Sequence, residues 1–285
     1  MDIALATCRT LPEPDPDEQP LLDALARAGL DAHLLAWDDG NADWSRAGMT
    51  ILRSTWNYPQ HAEGFLAWAE RIARVSDLWN PLPVLRWNHH KRYLLDLDRQ
   101  GVAIAPTVFV ARGQRENLHS ILDEQGWPDA VVKPAVSAAS YRTTRVTREN
   151  RAQGEAEFAA LVAERDVLVQ RYLPSVEDYG ERALIWIEGA LTHAIRKSPR
   201  FAGAQESVSA AVPISSAEAE LALRAVACVN APLLYARIDI APGLTGAPVV
   251  MELELIEPSL FFAQGPAALE RIVSAISRRL RERKS

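Results

Sequence analysis

The chain has 285 residues, 48% of them hydrophobic, enough for a large buried core and for one to three domains. A formal net charge of -6 removes any general attraction for nucleic acid or an anionic membrane, although a local basic groove remains open, and no apolar run approaches the roughly 20 residues that span a bilayer. Cys8 and Cys228 lie far apart without metal-ligating neighbours, and the start MDIALATCRT lacks the basic region and long apolar core of a signal peptide, so a reduced, cytoplasmic protein is expected.

From the amino terminus to about Pro81 the pattern reads strand, helix, strand, strand, helix. Ile3 to Ala6 is a short apolar run. Leu21, Leu22, Leu25 and Ala28 recur at helical spacing and Gly29 closes them, and Ala32 to Ala36 and Met49 to Leu52 follow as further strand-like runs. This alternation predicts a small parallel sheet. Ligands of such sheets sit beyond the carboxyl ends of the strands, which singles out two polar loops, CRTLPEPDPDEQP and RSTWNYPQH. The second gathers Arg53, Ser54, Thr55, Trp56, Asn57 and Tyr58, a set suited to a small polar substrate carrying a carboxylate. An ordinary surface loop, its aromatics packed on a helix from Ala62 to Val75, is the other reading, and Arg53 then pairs with an acid between Glu13 and Glu18.

Asn80-Pro81 and Pro83 mark a linker into a second domain. WNHHKRYLLDLDRQG then reads as a helix stopped by Gly101, with Lys91 near its start, where the helix dipole favours an anion; a solvated lysine is the alternative. A strand from Thr107 to Val110, a helix through Gln125 and the strand VVKP come next, and Lys133 inside that apolar run needs a counter-charge. The run AVSAASY, with Ser137 and Ser140, reads as a flap whose backbone amides could cover phosphates. DVLVQRY is an apolar strand whose end supplies free backbone groups able to read an adenine edge, and Glu177 in the acidic loop beyond lies where a ribose hydroxyl could be held.

After the alternating strands RALIWIEG and ALTHAIRKSP, the stretch Leu234 to Leu260 reads as a β-hairpin. Side chains alternate along a strand, so Arg237 and Asp239 share one side of the first run, and Glu252 and Glu254 share a side of the second. Acids buried among apolar neighbours need a partner, and a divalent metal with oxygen ligands is the usual one; a solvated acidic edge is the other possibility.

Taken in order, these features resemble the ATP-grasp ligases, which include glutathione synthetase and D-alanine:D-alanine ligase. RSTWNY, LWNP, RWNHHKRYLLDL and MELELIEPSL are similar to the branch containing O-ureido-serine cyclo-ligase. The resemblance implies an α/β fold with α+β elements: an N-terminal substrate domain over 1–80, then an ATP-grasp domain over 81–285, divided into 81–165 with the flap and 166–285 with the metal site, nucleotide lying between two sheets. It implies that Lys91 and Lys133 bind phosphates with the flap serines Ser137 and Ser140, that Gln170, Arg171, Tyr172 and Leu173 grip adenine, and that Glu177 holds the ribose. Asp239, Glu252 and Glu254 would carry Mg2+, in two ions, although relatives commonly have Asn where Glu254 stands. Arg237, with Arg182 and Lys197, would stabilise the charge formed when a nitrogen nucleophile attacks an acyl phosphate, and Ser259 joins the Arg53 to Tyr58 loop in the substrate set. The implied partner is a small carboxylate or amino acid, in a homodimer without nucleic acid or membrane. A nucleotide-binding regulatory module without turnover is the competing function, but it has no need of Arg237.

Overall fold

Three four-stranded sheets organise the chain in the computed structural model, which describes residues 1–137, 141–198 and 207–284. The first holds β1 (Ile3–Thr7), β2 (Ala32–Ala36), β3 (Met49–Leu52) and β4 (Asp77–Trp79), all parallel in the order β2-β1-β3-β4. Every residue of β1 and β3 is buried, which is why both read as unbroken apolar runs rather than alternating ones. The crossovers carry α1 (Glu18–Arg27) and α2 (Ala62–Ile72), and beneath α2 the rings of Trp37, Trp44, Tyr58, Phe65 and Trp68 pack in one cluster, Phe65 stacked on Trp68 with centroids 5.3 Å apart.

The single helix expected through WNHHKRYLLDLDRQ is two, α3 (Leu82–Asn88) and α4 (Tyr93–Arg99), with Lys91 in the turn between them. The break has a tertiary cause: the Lys91 amide donates to the Ala135 carbonyl at 2.7 Å instead of continuing the helix.

The second sheet is antiparallel, β5 (Thr107–Val110), β6 (Ala130–Pro134), β7 (Thr144–Val146) and β8 (Val167–Arg171), in the order β5-β8-β6-β7. On one side α5 (Leu118–Gln125) and α6 (Arg151–Glu164) bury Ala130 and Val132, so alternation turns Val131 and Lys133 to the opposite side. A division at 165/166 cuts ahead of β8, which pairs with both β5 and β6; the second sheet is completed only at Arg171.

After the short α7 (Ser175–Asp178), the third sheet holds β9 (Glu181–Ile187), β10 (Ala190–Lys197), β11 (Tyr235–Pro242) and β12 (Pro248–Glu254), in the order β10-β9-β11-β12. The helix α8 (Ser216–Ala227), begun by a capping box between Ser215 and Glu218, covers the face carrying Leu184, Trp186 and Ile238. The terminal helix α9 (Pro266–Lys284) covers part of the other face and contributes Ile272 and Ile276 to a core that also contains Ile3, Leu5, Ile51, Ile185, Ile187 and Tyr235.

β12 is the last strand of its sheet; on its outer side Val250 pairs with the backbone of Ala103 and Ala105, and the groups beyond it are met by side chains. Asn88 donates to the Leu253 carbonyl at 2.8 Å and accepts from the Leu255 amide at 2.9 Å, Tyr93 accepts from the Leu253 amide at 3.0 Å, and Asn80 donates to the carbonyls of Leu255 and Tyr235 at 2.8 and 2.9 Å. Each such group left unmet in the interior would cost about 1–3 kcal/mol. The asparagines of LWNP and RWNHH therefore hold the hairpin in place. No helix among the described residues is long and apolar enough to cross a membrane.

Candidate active site

Between the second and third sheets lies a cavity of about 340 Å³. Its wall on one side is β6 and the end of β8, and its floor is the half of the third sheet that α9 leaves uncovered. Two irregularities in the ladders decide which side chains meet there. The β9–β10 register shifts between Leu191 and His193, placing Lys197 opposite Glu181; the β11–β12 register shifts beside Asp239, placing Arg237 opposite Glu254 and Asp239 opposite Glu252. Bulges of this kind re-aim side chains at the cost of a local kink.

The floor carries two linked ion-pair clusters. In one, the Glu252 carboxylate accepts from Lys91 Nζ at 2.6 Å and from Lys133 Nζ at 2.8 Å, joining the α3–α4 turn, β6 and β12. Burial raises the Glu252 pKa, but Lys133 and Lys91 outweigh it and hold the carboxyl well below the usual range. In the other, Asp239 accepts from Lys197 Nζ at 2.5 Å and from Arg237 Nε and Nη2 at 3.0 Å each, while Arg237 also donates to Glu254 and, at 3.4 Å, to the Ser259 carbonyl. Asp239 is 2% exposed, and against that burial Arg237 and Lys197 keep it ionised, its pKa lowered. Glu254 and Glu181 go the other way: burial raises both despite Arg237 beside the first and Lys197 beside the second.

The residues singled out from sequence divide clearly. Lys91, Lys133, Ser137, Gln170, Arg171, Tyr172, Leu173, Lys197, Arg237, Asp239, Glu252, Glu254 and Ser259 all line the cavity, as do Trp56 and Tyr58. Ser140 lies outside the described residues. Arg182 does not reach the cavity: it stands on β9 between Glu181 and Ala183, so its side chain emerges on the α8 side, where it pairs with Glu218 at 3.0 Å and donates to the Pro213 carbonyl. Glu177 stands outside the lining and is bound to Arg145, which lies over the Tyr172 ring at 3.8 Å.

Arg53 is also elsewhere. It is 2% exposed, donates to the Pro258 carbonyl at 3.1 Å, and faces Asp17 at 3.6 Å and Asp15 at 4.0 Å between the rings of Tyr235 and Phe262. Its three loop neighbours are structural in the same way: Ser54 donates to Thr7 Oγ1 at 2.9 Å, Thr55 is fully buried, and Asn57 bridges Trp37 and Asp38 at 2.6 and 2.8 Å. Two cavity acids escaped sequence reading, Glu181 and Glu257. The first depends on the β9–β10 bulge, since a regular ladder would put Gly180 opposite Lys197. The second was legible as the acid within IEPSL, three residues beyond Glu254.

The donor set facing the cavity consists of carboxylate oxygens, which suits a hard divalent cation. Among the described residues no three acidic, histidine or cysteine side chains form a ready metal shell, because lysine and arginine groups stand between the acids.

Comparison with known proteins agrees with this architecture. Residues 3–80 match the family described as the N-terminal domain of the D-cycloserine synthetase DcsG. The cycloserine biosynthesis protein DcsG of Streptomyces lavendulae is 33% identical over 290 aligned positions, covering 94% of this chain and 95% of that protein. The crystal structure of D-cycloserine synthetase DcsG superposes with a TM-score of 0.90 at 31% identity, over 98% of this chain and all of that one. A D-alanine--D-alanine ligase from Bacillus anthracis, complexed with ATP, superposes over the full length of both chains with a TM-score of 0.67 at 16% identity, a likeness of fold. The chain thus belongs to the ATP-grasp ligases, in the family of the D-cycloserine synthetase DcsG.

Proposed function

We propose that this protein uses ATP to phosphorylate the carboxylate of a small amino-acid-like substrate and joins the activated carbon to a nitrogen nucleophile, releasing ADP and phosphate. The observation that carries the reading is Arg237. An arginine held in the cavity floor, oriented by Asp239 through two hydrogen bonds of 3.0 Å and by Glu254, presents a fixed guanidinium where an oxyanion forms when a nucleophile attacks an acyl phosphate. Simple nucleotide binding has no use for it.

The other roles follow from position. Lys91 and Lys133, converging on Glu252 from two elements, would hold the phosphates; the Gln170 to Leu173 segment leading out of β8 would take the adenine. Asp239, Glu252 and Glu254 would hold Mg2+, whose contribution when bound is to neutralise charge on the transferring phosphoryl group. Burial, and after it the neighbouring carboxylates, raise Glu254 and Glu181, and a bound divalent cation would offset both effects. Lys197 keeps Asp239 ionised and so keeps Arg237 oriented. Trp56, Tyr58 and Ser259 bound the substrate end of the cavity.

Kinship with DcsG makes ring closure of an O-substituted serine the first reaction to test. The assay is ADP release with ATP and Mg2+ over a panel of amino acids and amines that includes O-ureidoserine. Substrate-dependent ADP release is expected, and no release above the background ATP hydrolysis with any member would overturn the proposal.

A further inference from the structure

The loop that follows β12 is anchored from four directions. Trp56 Nε1 donates to the Glu257 carbonyl at 2.9 Å, the Tyr235 hydroxyl to the Ile256 carbonyl at 2.7 Å, and Arg53 to the Pro258 carbonyl at 3.1 Å. The buried Asp17 carboxylate accepts from the amides of Leu260, Phe261 and Phe262 at 2.5, 2.9 and 2.8 Å, a turn in which Phe261 takes a φ of 53°. A non-glycine residue in that region costs free energy, so the turn persists because these anchors over-determine it. Their effect is to fix the backbone of Glu257, whose side chain lines the cavity together with Trp56, Tyr58 and Ser259.

Glu257 differs in one respect from the four cavity acids of the third sheet. Glu252, Asp239, Glu254 and Glu181 each have a lysine or arginine within ion-pair distance, whereas among the described residues no basic side chain stands that close to Glu257. Burial, and after it the neighbouring Glu254 charge, push its pKa up to about 8, while Lys91 and Arg237 offset this only in part. An enclosed carboxylate without a counter-charge is costly unless a cation is brought to it.

We propose that Glu257 receives the ammonium group of the substrate, so that an amino group beside the activated carboxylate is required for binding. An organic ammonium suits the place better than a hydrated metal ion. Trp56 and Tyr58 line the same cavity as Glu257, and aromatic rings attract alkylammonium groups, whereas the acids suited to a metal are on the hairpin strands themselves. The inference rests on the amino-acid ligase reading and names the feature that substrate must carry.

The test is calorimetric titration of O-ureidoserine and of its des-amino analogue, with a non-hydrolysable ATP analogue and Mg2+ present, into the wild type, Glu257→Gln and Glu257→Asp. The wild type is expected to bind the amino compound at least thirtyfold more tightly than the des-amino one. Glu257→Gln should weaken the amino compound at least tenfold, leave the des-amino compound and the nucleotide within twofold, and Glu257→Asp should fall between. Equal or absent binding of the two compounds by the wild type, or an undiminished preference in Glu257→Gln, would overturn the assignment. Preference without ADP release from O-ureidoserine would instead count against that compound as the ligase substrate and leave Glu257 as the ammonium receptor.

Discussion

Replacing Glu252 by Gln is the sharpest probe of the cavity floor, because it keeps the side chain's shape and removes the charge that two lysines share. Lys91 and Lys133 approach it at 2.6 and 2.8 Å, each with a side chain 9% exposed. A hydrogen bond to a charged group contributes about 1.5–3 kcal/mol, and breaking a buried pair from one side costs about 3–5 kcal/mol because the other charge is stranded. The Glu252 side chain is 24% exposed, so water relieves part of this, and a loss of about 3 kcal/mol is expected at neutral pH. The pH dependence has a definite sign. The folded-state pKa of Glu252 lies below the unfolded value of about 4.3, so its contribution is complete above that value and is lost as pH falls toward the folded pKa. Urea unfolding of wild type and variant should therefore diverge near pH 7 and converge in strong acid. Turnover, measured as ADP release, should collapse by more than nucleotide affinity, since charge neutralisation matters most while the phosphoryl group is in transit. A variant with wild-type stability and full turnover would refute both the ion-pair accounting and the placement of the phosphate site.

Lys133→Ala is expected to weaken ATP binding at least tenfold in a folded protein, about 1.4 kcal/mol for one lost charge-assisted contact, and unchanged affinity by calorimetry would remove Lys133 from the phosphate site. Arg53→Lys should lower stability by about 2 kcal/mol, because an ammonium cannot reproduce the fork that meets the Pro258 carbonyl and the Asp15 and Asp17 carboxylates; KM values for ATP and for the amino acid should stay within twofold, and a tenfold rise in the latter at unchanged stability would return Arg53 to a substrate role. Glu257 has its folded pKa raised to about 8, so the folded state holds a proton that the unfolded chain releases above about pH 4.3, and stability falls as pH rises between these values. Glu257→Gln should flatten that slope, and an identical pH profile for variant and wild type would show that the carboxyl is not enclosed as described.

Much of the fold was legible because its signals are local. β2, β3 and β5 fall on the runs expected for them, and the continuous apolar character of β1 and β3 follows from burial on both faces. The Leu234 to Leu260 hairpin and its sidedness were legible for the same reason. What sequence could not supply was register. Two of the three ladders of the third sheet carry a shift, and counting residues from the turn would put Met251 rather than Glu252 opposite Asp239. Arg182 illustrates the consequence: it is the basic residue in an attractive place, but one position off the face that Glu181 occupies. The α3–α4 break was invisible for another reason, since its cause is a hydrogen bond to Ala135, far along the chain.

The RSTWNY loop shows why a strand-end position is weaker testimony than it looks. Beyond the carboxyl end of β3 the expected ligand space is filled by the chain itself: the 258–262 turn occupies it, and Arg53 and Asp17 bind that turn's backbone as they would bind a ligand. Tyr235 completes the joint, its one hydroxyl proton shared between the carbonyls of Leu52 at the end of β3 and of Ile256 after β12, at 2.8 and 2.7 Å. Since α9 shares one core with β1, β3 and β9, the first 80 residues and the hairpin form a continuous support. The amino-terminal domain acts on the cavity chiefly by fixing the loop that carries Glu257 and Ser259, and it contributes side chains directly at Trp56 and Tyr58, from the RSTWNY loop, and at Pro12 and Glu13. Preorganised groups on rigid elements are what acyl transfer requires, and here the rigidity comes from a buried arginine and aspartate that never touch the cavity.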